Sequence, residues 1–198
     1  MKLFRNYKTL SDEDLMDLIR DKDSKAFSEL YNRYSEMILN YFYRMLWKDR
    51  EKAEDFMHDL FQKIIEKTEY YDRNKRAFKT WFFSVANNMC KNEYKKQEVR
   101  SNTSSGLDES YNVSSSEEAV DRMFDNKAFK QKLLAEVNQL DEKHKEVFVL
   151  KFIDDLSNQE IADALDINLG TVKSRIFNAI KKISVNLEVY RDELIGGK

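Results

Sequence analysis

Residues 156–182 read LSNQEIADALDINLGTVKSRIFNAIKK, a pattern that predicts two short helices joined by a tight turn. Ser157, followed three residues later by Glu160, forms a capping box that begins the first helix. The turn falls at residues 166–168, and Asn168 can cap the second helix. The second helix is amphipathic and basic. This arrangement is typical of a helix-turn-helix whose second helix lies in the major groove of DNA.

The second helix has one apolar and one polar face. Its apolar side chains recur at spacings of three and four and are expected to pack on the first helix: Val172, Ile176, Ala179, Ile180 and Ile183. The other positions carry residue types that contact phosphates and base edges. They are Thr171, Lys173, Ser174, Arg175, Phe177, Asn178 and Lys181. The pattern alone leaves open a solvated amphipathic helix in a bundle.

The segment LSNQEIADALDINLGTVKSRIFNAIKKI resembles the promoter-reading helix-turn-helix of bacterial RNA polymerase sigma factors of the small extracytoplasmic-function (ECF) type. GTVKSR at 170–175 is the most diagnostic run, and LDEKHKEVFVLKF at 140–152 resembles the preceding helix of the family. Asp155 and Asp166 stand where the family usually has glycine. Because aspartate tolerates a left-handed backbone, we expect the turn to survive.

The resemblance assigns roles along the second helix. It implies that base edges are read by Lys173, Ser174, Phe177 and Asn178, and that phosphates are held by Thr171, Arg175 and Lys181. For Phe177 an alternative stays open, because an aromatic ring beside Ile176 can also pack on the preceding helix.

The net charge of the chain is small, but its basic and acidic residues are concentrated in different segments. The 198 residues contain no proline and 35% charged side chains, which favours long helices, and the net charge is only -2. Residues 73–100 carry eight basic and two acidic side chains, whereas residues 101–125 carry one basic and six acidic ones. The sequence therefore predicts basic surfaces on either side of an acidic tether.

The chain offers few residues for redox or metal chemistry. Cys90, the only cysteine, lies in an apolar helical pattern and is expected to be buried and inert. One cysteine excludes a disulfide within the chain, and with two histidines no usual zinc site can be assembled. No apolar run has the length of a signal peptide or membrane span, so a cytoplasmic protein is expected.

Helical periodicity and breakers divide the chain into two parts. Helices are predicted at about 11–20, 24–47, 51–67 and 76–96, and helical patterning resumes near residue 120. The polar stretch after Gln97 has too few apolar residues to bury. We therefore expect an all-α fold with two small helical domains, 1–97 and 125–198, joined by a flexible acidic linker at 98–124.

The third predicted helix has an apolar face and an acidic face. Its apolar stripe consists of Ala53, Phe56, Met57, Leu60, Phe61, Ile64 and Ile65. Its acidic outer face can serve solubility alone. However, KAEDFMHDLFQKI at 52–64 is similar to the sigma segment that docks on the clamp helices of the largest polymerase subunit. The resemblance implies that Asp55, Asp59 and Gln62 contact the core enzyme.

The fourth predicted helix reads FKTWFFSVANNMCKNEYKK at 78–96. Most of its aromatic side chains are expected in the core, whereas its asparagines and lysines suit single-stranded DNA. The segment resembles the family's element that melts and reads the promoter hexamer near minus ten. The resemblance implies that Asn88 and Asn92, with Trp81 and Lys95, form this site, and that the loop 71–77 covers the extruded base.

Two other functions are weighed against a sigma factor. Glu54, Asp55, His58 and Asp59 share adjacent turns, and His-Asp is the dipeptide of helical metal phosphohydrolases. Such sites need several more histidines, and only His144 remains, so no enzyme is expected. A helix-turn-helix regulator that acts without core polymerase is the stronger alternative, although it leaves the N-terminal segments unexplained.

The resemblance thus implies an ECF-type sigma factor whose partners are core RNA polymerase and promoter DNA. It also implies an anti-sigma protein that holds the factor inactive. No cofactor, metal or small-molecule substrate is needed, and the protein itself is not expected to be embedded in a membrane.

Overall fold

The computed structural model describes residues 5–103 and 127–188. The chain divides into two compact units, Met1–Tyr111 and Asn112–Lys198. Regular structure in the described residues is entirely helical, with eight α-helices and two short 3₁₀ helices, Tyr7–Thr9 and Thr68–Tyr70. The expected all-α class is confirmed.

The N-terminal unit contains four α-helices: α1 (Asp12–Arg20), α2 (Ser24–Met45), α3 (Arg50–Glu66) and α4 (Phe78–Thr103). Side-chain caps explain where the first three begin. Ser11, Asp23 and Asp49 each accept a hydrogen bond from a backbone N–H in the first turn of the helix that follows. The predicted start of α1 at Ser11 is confirmed. Helix α2 ends slightly before the expected Trp47, where Trp47 and Lys48 both take a positive φ.

Helix α4 is longer than expected. It ends at Thr103 rather than near Lys96, so residues 98–103 of the predicted linker are helical. The segment QEVRSNT at 97–103 contains neither glycine nor proline. Because an existing helix gains a hydrogen bond with each added residue, polar composition alone does not end it. The rest of the predicted linker, 104–124, lies outside the described residues.

Helix α2 forms the centre of the N-terminal unit and packs against α1, α3 and α4. Aromatic rings join these helices. The centroid of the Tyr34 ring lies 5.3 Å from that of Phe78 and 5.1 Å from that of Phe82. The ring centroids of Phe61 and Phe82 are 5.7 Å apart. Cys90 is buried in this unit, as expected. The aromatic side chains of α4 that face α2 are therefore core residues.

The apolar stripe of α3 is narrower than predicted. Ala53, Met57, Leu60, Phe61 and Ile64 are buried, but Ile65 is 51% exposed. Phe56 and Ile65 lie on opposite edges of the stripe. Phe56 is partly covered because its ring meets that of Phe42 edge to face, with the ring centroids 5.5 Å apart, whereas Ile65 lies on the edge that neighbouring helices leave open.

The C-terminal unit contains α5 (Lys127–Gln139), α6 (Glu142–Phe152), α7 (Asn158–Leu165) and α8 (Leu169–Glu188). Helices α5, α6 and α7 all pack against α8. The capping box of Ser157 and Glu160 is present, so the predicted start of α7 is confirmed. Asp155 and Asp166 have φ values of 53° and 54°, the left-handed backbone expected for aspartates in place of glycine.

One member of the predicted stripe on α8 does not belong to the core. Val172, Ala179 and Ile183 are buried and Ile176 is half-buried, whereas Ile180 is 44% exposed. Ile180 lies at the edge of the stripe, where it borders an open apolar groove together with Phe148 and Phe152 of α6. The stripe read from the sequence is therefore wider than the surface that the neighbouring helices cover.

Candidate nucleic-acid and polymerase interfaces

Local hydrogen bonds fix the start of α8. The Oδ1 atom of Asn168 accepts from the backbone N–H of Thr171 at 2.7 Å and from its hydroxyl at 2.9 Å. The predicted cap is confirmed. A Cβ atom at Gly170 would lie 3.3 Å from the same Oδ1 atom, so a larger residue there would press on the cap. The GTVKSR run therefore combines a tight helix start with the basic face that follows it.

The seven residues predicted to read the upstream DNA element lie together on α8. Lys173, Ser174, Phe177, Asn178 and Lys181 are exposed, and Thr171 and Arg175 are half-buried at the border with the core. Phe177 is 67% exposed, so its ring does not pack on the preceding helix. The spacings of three and four between Ser174, Asn178 and Lys181 place them on one helical face.

The remaining lysine of this helix has an internal partner. Lys182 lies 2.7 Å from Asp141, which also caps α6 and accepts from Nδ1 of His144 at 2.6 Å. Partial burial opposes ionisation of Asp141, but the bonds from Lys182 and His144 outweigh it and hold its pKa well below the usual range. This link could not be predicted from the sequence, since Asp141 and Lys182 are distant in the chain.

The four residues predicted to read the downstream element share one face of α4. Trp81, Asn88, Asn92 and Lys95 follow one another at spacings of seven, four and three, which return to the same side of a helix. Asn88, Asn92 and Lys95 are exposed, and Trp81 is half-buried. Asn87, by contrast, is buried on the opposite side and cannot reach DNA from this face.

The loop 71–77 borders this face at the N-terminal end of α4. Tyr71 is 2% exposed, and its ring contacts that of Trp81 at 5.2 Å. Its hydroxyl donates to the carbonyl of Arg76 at 3.3 Å, and burial raises the pKa of Tyr71 to about 12. Asp72 accepts from the backbone N–H of Asn74 at 3.0 Å. These bonds fold the loop into a tight turn beside Trp81.

Contacts from α1 to this loop were not predicted. Glu13 accepts from the backbone N–H of Phe78 at 2.9 Å, and the guanidinium of Arg73 bonds to Asp14 at 3.1 Å and Asp17 at 2.6 Å. The acidic run DEDLMD at 12–17 was the available signal, but periodicity does not show which distant segment such a run will face.

The three residues predicted to bind core polymerase share the outward face of α3. Asp55, Asp59 and Gln62 are exposed and spaced by four and three residues. The side-chain amide of Gln62 donates to Glu66 at 2.8 Å. The exposed Ile65 lies beside this row. The face therefore combines acidic groups, an amide and one apolar side chain.

Residues 5–103 and 127–188 contain no group of three or more histidine, cysteine, aspartate or glutamate side chains placed to hold a metal ion. His58 is exposed on α3, and His144 belongs to the other unit. Over the same residues, no helix combines the length and apolar character needed to span a lipid bilayer.

Two family models match the chain. The model described as Sigma-70 region 2 matches residues 30–100, and that described as Sigma-70, region 4 matches residues 130–183. The first match includes the candidate faces of α3 and α4, and the second includes the candidate face of α8.

The chain is also similar to known sigma factors over most of its length. The chain is 30% identical to the ECF RNA polymerase sigma factor SigW of Bacillus subtilis strain 168, over 80% of this chain and 87% of the relative. It is 28% identical to the ECF RNA polymerase sigma-E factor of Haemophilus influenzae, over 90% and 96%.

The fold is similar to that of CnrH in complex with the cytosolic domain of CnrY, with a TM-score of 0.65 and 21% identity over 90% of this chain and 97% of the other. It also resembles RpoE in complex with the anti-sigma factor NepR from Bartonella quintana, with a TM-score of 0.62 and 22% identity over 81% and 98%. Together, the two matched regions and the relatives that span both of them show that this chain belongs to the ECF RNA polymerase sigma factors.

Proposed function

We propose that the two units share the work of an ECF sigma factor through three surfaces. The outward face of α3 binds core RNA polymerase, the face of α4 with the loop 71–77 captures melted DNA, and α8 reads the upstream promoter element. As a member of its family, the chain is a transcription initiation factor. The main support for the proposal is that each of the two regions matched by the family models contains one helical face suited to binding DNA.

The upstream role rests on the composition of the exposed face of α8. Lys181 can neutralise a phosphate, whereas Lys173 can pair with the edge of a guanine and the side-chain amide of Asn178 with that of an adenine. The exposed ring of Phe177 has no packing role in the unit, but it suits contact with a thymine methyl group. Nonspecific attraction and base reading are thus combined on one helix.

The downstream role rests on the amides and the aromatic surface of α4. Asn88 and Asn92 offer donors and acceptors to the edges of unpaired bases, and Lys95 adds a cation for the backbone. Trp81 closes the row where it meets Tyr71 of the loop. A base that leaves the duplex would find polar groups along the helix and an aromatic surface at its end.

The core-binding role rests on the face of α3. Asp55, Asp59 and Gln62 are exposed, and the structure gives them no role in packing. Ile65 adds an exposed apolar side chain beside them. Acidic groups around an apolar contact fit a basic partner surface, because such complementarity fixes the orientation of docking.

An anti-sigma protein is a further proposed partner, because RpoE, a relative in fold, is bound to the anti-sigma factor NepR. In this proposal the chain acts by binding alone and catalyses no reaction. Base reading and strand capture draw on contacts with DNA, which require neither a cofactor nor a nucleophile. A factor that works with polymerase on the bacterial chromosome acts in the cytoplasm.

A selection from randomised duplex DNA tests the proposal. The library is presented to the purified chain, to core polymerase, and to both together. We expect a sequence with two defined elements at a constant spacing to be enriched only when both proteins are present. Enrichment of the same sequence by the chain alone would instead support a regulator that works without polymerase.

A further inference from the structure

Helix α1 is held firmly on the central helix of its unit. Leu15, Met16 and Ile19 are buried. At the start of α1, Asp12 bonds to the Arg33 guanidinium at 2.7 Å and accepts a hydrogen bond from the Tyr34 hydroxyl. Both partners belong to α2. Apolar burial and a partly buried ion pair therefore fix α1 against a helix of the core.

The opposite side of α1 meets the start of α4. Ala77 occupies the capping position of α4, since its carbonyl accepts the first helical hydrogen bond, from Trp81. Alanine has no side-chain acceptor for the free N–H groups of the first turn. Glu13 supplies that acceptor from another helix, at 2.9 Å from the N–H of Phe78, and its negative charge suits the positive end of the helix dipole.

Further contacts hold the middle and the beginning of the loop 71–77. Arg73 bonds to Asp14 and Asp17 of α1. Arg20, one turn beyond Asp17, donates to the carbonyls of Thr68 at 3.3 Å and Tyr71 at 3.1 Å. The loop is therefore attached to α1 at its start, in its middle and at its junction with α4.

Hydrogen bonds inside the loop 71–77 shape it as a turn, but few of its side chains pack against the unit to hold that turn in place. Residues 73–77 are all exposed, and only Tyr71 is buried. An exposed loop loses backbone freedom when it closes over a ligand, and that loss weakens binding unless the loop is ordered beforehand. The contacts from α1 supply this restraint from within the folded unit.

We infer that α1 positions the loop 71–77 for capture of the extruded base, with Glu13, Asp14 and Asp17 acting on DNA binding without touching DNA. This inference rests on the proposed role of α4 and the loop in downstream-element recognition. It makes the acidic side of α1 a determinant of strand capture, although acidic groups near DNA would by charge alone be expected to weaken it.

The test uses the full chain bound to core polymerase and a labelled single-stranded oligonucleotide that carries the selected downstream element. Fluorescence anisotropy gives its dissociation constant. Glu13→Ala, and separately Asp14→Ala with Asp17→Ala, should each weaken binding by about three- to tenfold through loss of preorganisation. Glu13→Gln keeps an acceptor for Phe78 and should stay within about twofold of the parent. Glu36→Ala removes an exposed carboxylate from α2 and is the matched control.

A mutant cycle separates positioning from general effects. In an Arg73→Ala background, Asp14→Ala alone should cause no further loss, since this carboxylate reaches the loop through Arg73. Asp17 is left unchanged in this cycle because it also bonds to Arg20 at 3.4 Å. Tighter oligonucleotide binding without the carboxylates would mean that they only shield Arg73 from phosphate, and would overturn the inference. Because Asp14, Asp17 and Arg73 are 41–47% exposed, their variants should fold even if Glu13→Ala does not.

Asn88→Ala distinguishes failure of the inference from failure of the proposed function. If Asn88→Ala weakens oligonucleotide binding and none of the α1 variants does, α4 reads the strand and the positioning role of α1 is wrong. If Asn88→Ala and the α1 variants all leave binding unchanged, the downstream site itself is wrongly placed and the inference falls with it.

Discussion

Phe177 is a single residue whose exposure decides between two roles. Truncating a phenylalanine in a packed core to alanine lowers the free energy of unfolding of a protein by about 3 to 5 kcal/mol. With 67% of its side chain exposed, Phe177 should behave instead as a surface residue, with a loss within about 0.5 kcal/mol. Its exposure fits the proposed contact with DNA better than a role in folding.

The first prediction separates base contacts from phosphate contacts on α8. Phe177→Ala or Asn178→Ala should cost about 1 to 3 kcal/mol on the selected duplex and much less on scrambled DNA, so the ratio of the two affinities falls. Lys181→Ala should weaken both affinities similarly and lower the salt slope by roughly one unit. Affinities measured with the holoenzyme across a salt series provide the comparison.

Thermal melting is the control for this prediction. A large loss of stability in Phe177→Ala would show a core residue and contradict the structure. Equal losses on specific and scrambled DNA for Asn178→Ala would remove it from the base-reading set.

The second prediction concerns Asp141, which links α6 to α8. Asp141→Ala should lower the free energy of unfolding by about 1 kcal/mol at pH 7, because it removes a helix cap. A carboxyl whose pKa is depressed on folding stabilises the protein above its unfolded pKa, about 3.9, and that contribution is lost as the pH falls toward the folded pKa.

The difference in the free energy of unfolding between the parent and Asp141→Ala should therefore shrink as the pH falls from about 5 to about 3. Urea unfolding across this range measures it. Lys182→Ala removes only the exposed ion pair and should cost less than Asp141→Ala. A difference that stays constant over this range would show that the carboxylate of Asp141 does not stabilise the unit.

Contacts between residues close in the chain could be predicted from the sequence, and distant ones could not. The Ser157 and Asn168 caps follow from side chains that bond three residues ahead. The bond from Phe78 to Glu13 joins residues 65 positions apart. No periodic pattern specifies such a pair, because it depends on how α1 and α4 pack.

At the scale of helices, the outward face of α3 is the element whose role is easiest to isolate. Its polar residues project away from the buried side that packs on α2. Substitutions on this face should therefore change binding to a partner rather than the stability of the fold.

The third prediction is that Asp55→Lys combined with Asp59→Lys abolishes retention of the chain on immobilised core polymerase. Reversing two charges on a complementary interface costs several kcal/mol of binding, whereas exposed reversals change folding stability by only about 0.5 kcal/mol. Pull-down and thermal melting measure the two effects.

The matched control reverses two exposed acids elsewhere in the same unit, Asp21→Lys and Glu36→Lys. It makes the same change in net charge and should leave retention on polymerase unchanged. If both double variants lose retention equally, the effect is one of overall charge and α3 is not the docking face.

Helix existence was easier to predict than helix edges. Apolar periodicity and caps gave α1, α2 and α3 within a few residues, but nothing in the polar sequence after Gln97 marked the end of α4. Likewise, Ile65 and Ile180 fit an apolar period and are nonetheless exposed. Periodicity shows which residues share a face, whereas burial depends on how much of that face a neighbouring element covers.

At the scale of the whole molecule, the division into two helical units could be predicted from the sequence. The acidic segment between two basic helical stretches predicted two helical units. The resemblance of two motifs in a fixed order predicted the family. The link between α1 and the loop 71–77 could not be predicted, since it arises only when the helices of one unit pack together. The proposed DNA-contacting residues could therefore be named from single helices, whereas the proposed positioning of the loop by α1 could be inferred only from the folded unit.

The most direct test of promoter-directed initiation is in vitro transcription from a library of genomic fragments, with purified core polymerase and sequencing of transcript 5′ ends. Addition of the chain should create a discrete set of start sites preceded by two shared elements at constant spacing, and Asp55→Lys with Asp59→Lys should abolish them. A start-site profile identical to that of core polymerase alone would contradict the assignment of this chain as an initiation factor.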